Sequence, residues 1–334
     1  MEDPVATDPG SVPMSLRRLF ANRTLNHMIT TLSRLVIAAC CNFLVLSPAL
    51  AQQRPDPEFN TVVEHPAYTK NFPRVLFDEA HNNFHTTTGR YKPFADLITS
   101  DGYHIVRNRK PFARSALDTF KVLVIANALG AEDMDDDGAD RPAFTEEECD
   151  IVRDWVKAGG ALLLIADHAP FGGAAENLGK RFQIEMSKGY TLDPANSFSK
   201  QATSLLVFSR ENKLLLEHPI THGRNDSEII KTVFTFTGQS LKGPKDSFAF
   251  MALSDTARDK ADRDSTTDVS AAGRAQGIAL KFGKGRVVVM GEAAMLSAQL
   301  AGAENRPMGM NVPGSDNRQL ALNIMHWLSG VLGK

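Results

Sequence analysis

Residues 144–167, Phe-Thr-Glu-Glu-Glu-Cys-Asp-Ile-Val-Arg-Asp-Trp-Val-Lys-Ala-Gly-Gly-Ala-Leu-Leu-Leu-Ile-Ala-Asp, decide the fold. Thr145 and Glu148 have the spacing of a capping box, with Thr145 at N-cap and Glu148 at N3. Phe144 and Cys149 flank it as a hydrophobic staple. Ile151, Val152, Trp155 and Val156 supply one apolar face, and Gly159-Gly160 ends the helix. An unbroken apolar run, Ala161 to Ala166, follows at once. Strands that are apolar without alternation are buried on both faces, as in parallel sheets. Upstream, Lys121 to Ala126 is a second such run, and Arg74 to Asp78 and Tyr103 to Val106 are two more. Helical periodicity falls at Tyr91 to Thr99 and Ala174 to Phe182. Strand, helix, strand alternation predicts an α/β protein with a doubly wound, mostly parallel, flavodoxin-like sheet.

From about 200 the pattern turns to β, with strands expected at Ser204–Phe208, Thr232–Thr237 and Phe248–Leu253. A hairpin-like pair follows, Gly277–Phe282 and Arg286–Met290 around Gly283-Lys284-Gly285. A closing helix capped near Ser315 or Asp316 buries Leu320, Leu322, Ile324, Met325 and Leu328. The expected organisation is a signal peptide over 1–51, an extended polar lead-in over 52–72, and one α/β domain over 73–334 with a β-rich elaboration at about 200–285.

The signal reading rests on Leu35 to Leu46, a short apolar run behind Arg17, Arg18, Arg23 and Arg34, closed by Ala49-Leu50-Ala51. It predicts export, periplasmic or secreted, with no membrane span after cleavage. An uncleaved anchor and a lipoprotein cut before Cys40 are the alternatives. Three cysteines in 334 residues exclude a disulfide scaffold, and cleavage leaves Cys149 alone. A net charge of -2 provides no basic field for nucleic acid.

In open α/β sheets ligands bind beyond the carboxyl ends of the strands, and polar residues collect there. The first strand ends in Asp78-Glu79-Ala80-His81-Asn82-Asn83-Phe84-His85, the fourth in Asp167-His168-Ala169-Pro170-Phe171-Gly172-Gly173, and a late one in Gly291-Glu292. Asp78, His81, Asp167, His168 and Glu292 are the candidate catalytic residues. His81 and His85, four apart, would share one face of a helical turn and with Asp78 hold a divalent ion such as zinc. Glu79, Asn82 and Gln239 are candidate contacts for a small polar or carbohydrate-like ligand. Gly172 and Gly173 would present backbone N–H groups to an anion. The histidines and aspartates can equally cap turns and satisfy buried carbonyls. Asp133, Asp135 and Asp137, before Gly138, reproduce the start of a calcium loop, though its twelfth position is Phe144 rather than Glu. No glycine-rich nucleotide motif follows any strand.

The segment around Gly159-Gly160, the turn Ala166 to Gly173, Val289-Met290-Gly291-Glu292 and Asp316-Asn317-Arg318-Gln319 to Trp327 together resemble the class I glutamine amidotransferase-like superfamily. The nearest branches in that resemblance are the trehalose-utilisation-like proteins and the domain shared by gliding-motility and intraflagellar-transport proteins. That family sets a nucleophilic cysteine on the turn after the strand matching Leu162 to Ala166; here the turn carries Asp167 and His168. Cysteine-dependent amidotransfer is therefore disfavoured. The expectation is a hydrolase with a His/Asp/Glu cleft, metal-assisted or with His168 as acid/base oriented by Asp167 or Asp78. A silent sugar- or protein-binding module is the alternative.

Overall fold

The computed structural model describes residues 53–199 and 201–333, so the signal-peptide reading of 1–51 lies outside the described residues. The apolar runs form a mixed sheet of nine strands among the described residues. These are β1 (Arg74–Asp78), β2 (His104–Asn108), β3 (Val122–Ala126), β4 (Ala161–Ile165), β5 (Glu185–Met186), β6 (Leu241–Lys242), β7 (Phe248–Ala252), β8 (Ala275–Phe282) and β9 (Gly285–Met290). Their spatial order is β2-β1-β3-β4-β9-β8-β6-β5, with β7 also on β8. The first five in that order are parallel. The rest add antiparallel strands, starting from the hairpin β8–β9. Part of the β-rich stretch thus extends the parallel half within the same sheet, while Val207–Ser209 pairs with Thr232–Phe234 and Arg258–Lys260 with Val269–Ser270 and Tyr190–Leu192 in two smaller sheets.

Every residue of β3 and β4 is buried, and alternate side chains enter opposite layers. Val122, Val124, Leu163 and Ile165 join the layer holding helices α1 (Lys92–Ser100) and α4 (Asn317–Ser329). Leu123, Ile125, Leu162 and Leu164 join that of α2 (Glu146–Ala158), and Leu178 of α3 (Phe171–Lys180) packs in the same layer. Each such buried leucine stabilises the fold by roughly 1.5–3 kcal/mol. No helix among the described residues is long and apolar enough to cross a membrane.

The capping box forms as read: Glu148 N–H donates to Thr145 Oγ1 at 3.2 Å, and Thr145 N–H to Glu148 Oε2 at 3.0 Å. The two glycines after α2 have separate reasons. Gly159 takes φ 126°, and a Cβ on Gly160 would stand 2.3 Å from the Trp155 ring. At α4, Asp316 makes no side-chain cap; its Oδ2 instead accepts from the N–H groups of Lys231 and Thr232, tying the helix start to a neighbouring strand. The lead-in is extended and partly paired, with Arg54 and Pro55 opposite Leu300 and Gln299.

Candidate functional site

Asp78 closes β1 fully buried. Its Oδ2 accepts from His81 Nδ1 at 2.8 Å and its Oδ1 from Asn108 Nδ2 at 2.9 Å. The other imidazole nitrogen, His81 Nε2, donates to Glu148 Oε1 at 2.9 Å, an oxygen that also receives Phe112 N–H. Phe112 and Phe144 pack on the ring, each with its centroid 4.7 Å away. Burial alone lowers the His81 pKa, but the hydrogen bonds and charges of Asp78 and Glu148 outweigh it and leave the pKa raised. Burial likewise works against the Glu148 charge, and Thr145, His81 and the Phe112 N–H together hold its pKa down. With a carboxylate on each nitrogen His81 is an imidazolium, with no lone pair for a metal or for proton transfer. Asp78 and His81, expected as catalytic and metal-binding residues, form with Glu148 a buried clamp joining β1 to the N-terminus of α2.

The shared helical face expected for His81 and His85 is also absent. Residues 79–86 are irregular, and Asn82 turns the chain with φ 48°, so the two rings diverge. His85 stacks on Tyr91, centroids 4.7 Å apart, and is almost fully buried. Burial and the charge of Arg90 push its pKa down to about 3, so the ring is neutral. Among the described residues its Nδ1 has no hydrogen-bond partner. Glu79 is occupied by the N–H and Oγ1 of Thr87, at 2.9 and 2.6 Å, rather than facing a ligand.

The turn after β4 is built differently. Asp167 Oδ1 accepts His168 N–H at 2.7 Å and Oδ2 accepts Ala293 N–H at 3.3 Å. Glu292, fully buried after β9, accepts the N–H groups of Ala294 and Met295, each at 2.8 Å. Burial raises the Glu292 pKa and the Asp167 charge adds to this, against the backbone donors. Burial also raises Asp167, opposed by His168, by its two N–H donors and by Arg263. Glu292 therefore shapes the turn Ala294–Leu296 and is no exposed base, and Asp167 holds the backbone of His168 rather than its ring. Tyr91 Oη completes the support by donating to Ala293 O at 2.6 Å.

His168 is half-buried. Its Nδ1 lies 2.6 Å from Ala169 O; a carbonyl only accepts, so Nδ1 carries the hydrogen. Nε2 makes no hydrogen bond among the described residues and is free to accept a proton. The ring stacks on Tyr190, centroids 4.7 Å apart at 21°, and the Arg263 guanidinium lies 5.3 Å from the centre of that tyrosine ring. Tyr190 and Arg263 line a cleft of about 280 Å³ with Gln201, Ser204, Thr237 and Lys260. Thr237 holds φ 74°, a strained conformation for a β-branched residue, and its Oγ1 lies 2.8 Å from Ser204 Oγ. Thr237 closes a strand expected from the sequence, next to the candidate Gln239, whereas Tyr190, Gln201, Ser204, Lys260 and Arg263 stand in no motif and were missed.

Gln239, expected to touch ligand, is fully buried and spent on structure. Its Nε2 donates to Ala166 O and Asp167 O, both at 2.9 Å, and its Oε1 accepts Lys188 N–H. Gly172 and Gly173 fall inside the first turn of α3 rather than before it. Gly173 N–H is bonded to Pro170 O, and a Cβ on Gly172 would meet the Gln239 amide at 2.5 Å. The acidic loop bonds to itself: Asp133 N–H reaches Asp136 Oδ2, and Asp135 N–H reaches Asp133 Oδ1. Among the described residues no three His, Cys, Asp or Glu side chains are grouped to hold an ion. Neither the calcium set Asp133, Asp135 and Asp137 nor the divalent set Asp78, His81 and His85 forms such a group. A larger groove, about 580 Å³, lies between residues 56–65 and the start of α4. Its arginines are engaged, Arg224 with Glu228 and Arg318 with the carbonyl of Val62, each at 2.6 Å.

No family model matches the chain, and no curated protein matches it. Among solved structures it is similar to the mmIFT52 N-terminal domain, with a TM-score of 0.53 and 14% identity over 77% of this chain and 97% of that one. This likeness shows a shared fold. Weaker similarities, each with a TM-score of 0.41, run to a putative ThuA-like protein from Bacteroides uniformis and a putative GMP synthase protein from Thermoplasma acidophilum. Their identities are 12% and 10%; they cover 82% and 78% of this chain, and 95% and 96% of those chains.

Proposed function

We propose that the chain is an exported α/β hydrolase of a small polar or carbohydrate-like substrate, acting at the Asp167–His168 turn without a bound metal. The sheet reads as doubly wound and flavodoxin-like, on a glutamine amidotransferase-like fold. The observation that carries the proposal is the state of His168. Its Nδ1 is fixed by Ala169 O, its ring is stacked on a wall of the cleft, and its Nε2 is unpaired. In the proposed reaction Nε2 takes a proton from water as it attacks, then returns it to the leaving group. Asp167 fixes the backbone of that turn, and Tyr190 fixes the ring.

A second reading, a ligand-binding module without turnover, is favoured by one feature. The oxygens of Asp167 and Glu292 accept backbone N–H groups, so neither carboxylate is committed to the chemistry. Chromogenic esters, glycosides and phosphate esters offered to the purified protein separate the two. The hydrolase reading expects turnover of at least one class, lost in His168→Asn. Absence of turnover on every class, together with saturable ligand binding, establishes the module instead.

A further inference from the structure

We infer that the cleft beside His168 takes an anionic ligand, a small polyhydroxylated molecule bearing a phosphate or a carboxylate. The inference rests on the site assigned above and names the chemistry it accepts. The observation is a charge imbalance in the wall. Lys260 and Arg263 line the cleft together with Tyr190, Gln201, Ser204 and Thr237, and no acidic side chain lines it. Neither cation forms a salt bridge among the described residues, although most arginines around them do: Arg258 pairs with Asp268, and Arg274 lies 3.8 Å from Asp259. Asp262 and Asp264 flank Arg263 in sequence yet are not part of the wall.

Lys260 is half-buried and Arg263 exposed, and an oxyanion seated in the cleft would accept the N–H groups of both. Arg263 lies against the tyrosine that also stacks on His168, so Tyr190 is shared between the cationic wall of the cleft and the His168 ring. Polar wall residues such as Gln201, Ser204 and Thr237 suit a polyol, and about 280 Å³ sits near the lower limit of ligand pockets, roughly 300 Å³. That size suits a single sugar ring.

Calorimetric titration of the full chain with glucose 6-phosphate, glucuronate and glucose tests the inference. The expected result is that at least one charged sugar binds about tenfold or more tighter than glucose, that added salt weakens this binding, and that Lys260→Ala with Arg263→Ala abolishes the preference. The phosphate and carboxylate arms tell the two oxyanions apart. Equal affinity for glucose and the charged sugars overturns the inference, as does no binding of either charged sugar at millimolar concentration or a preference that survives the double substitution. His168→Asn keeps the charge preference here. Charge-selective binding without any turnover would defeat the hydrolase reading and leave this inference standing; turnover of neutral substrates alone would do the reverse.

Discussion

At Asp78–His81–Glu148 each imidazole nitrogen meets a carboxylate, whereas at Asp167–His168–Glu292 the carboxylates meet backbone N–H groups and the imidazole keeps Nε2 free. Both groups stand at the carboxyl edge of one sheet and use the same residue types. The difference lies in how the hydrogen-bonding capacity of the histidine is spent. Where it is used up, the ring becomes a fixed cation joining two elements. Where half remains, on a half-exposed turn beside a cationic cleft, proton transfer is open to it.

The sharpest break between the two is in stability. His81→Ala leaves two buried carboxylates without their cation, and loss of one partner from a buried pair costs about 3–5 kcal/mol. Urea unfolding should show that loss while ligand binding at the cleft persists. A loss below about 1 kcal/mol would show that the clamp does not hold α2 to β1. Glu292→Ala comes next, at about 1–3 kcal/mol, because the N–H groups of Ala294 and Met295 lose their acceptor.

Titration gives the two groups opposite faces. The raised His81 pKa means its stabilisation is complete below about pH 6.5 and fades as pH rises through the raised value; His81→Gln should remove that part of the fall in unfolding midpoint. Glu148, held low, contributes above the ordinary glutamate range and loses its contribution as pH falls through its depressed value. Asp167 and Glu292 are raised, so the folded state binds more protons than the unfolded one and their charging costs stability as pH rises from the ordinary carboxylate range. Glu292→Ala should shrink that fall, and an unchanged slope would mean that the proton sits elsewhere. The smallest expected effect on stability belongs to His168→Asn, within about 0.5 kcal/mol of the parent. In the proposed enzyme that same change lowers turnover about 10²-fold or more.

Much of the scaffold is legible in the sequence because its signals are local. The apolar runs at 122–126 and 161–165, the capping box and the β8–β9 hairpin depend on neighbours in sequence, and all four appear in the structure. The site is legible only as a set of loops. A helical spacing groups His81 with His85, and the left-handed Asn82 breaks it. The capping box accounts for one oxygen of Glu148; the second goes to His81, 67 residues away. Tyr190, Ser204, Thr237 and Arg263 meet through tertiary folding of loops and short strands, and no spacing rule connects them.

Cys149 lies on the buried side of α2 with no exposed surface, and burial pushes its thiol up to about 12. A thiol-reactive dye meets it only in molecules whose α2 has lifted from the sheet. In a chain carrying serine at positions 40 and 41, the labelling rate therefore becomes a clock for local opening, readable under fully native conditions.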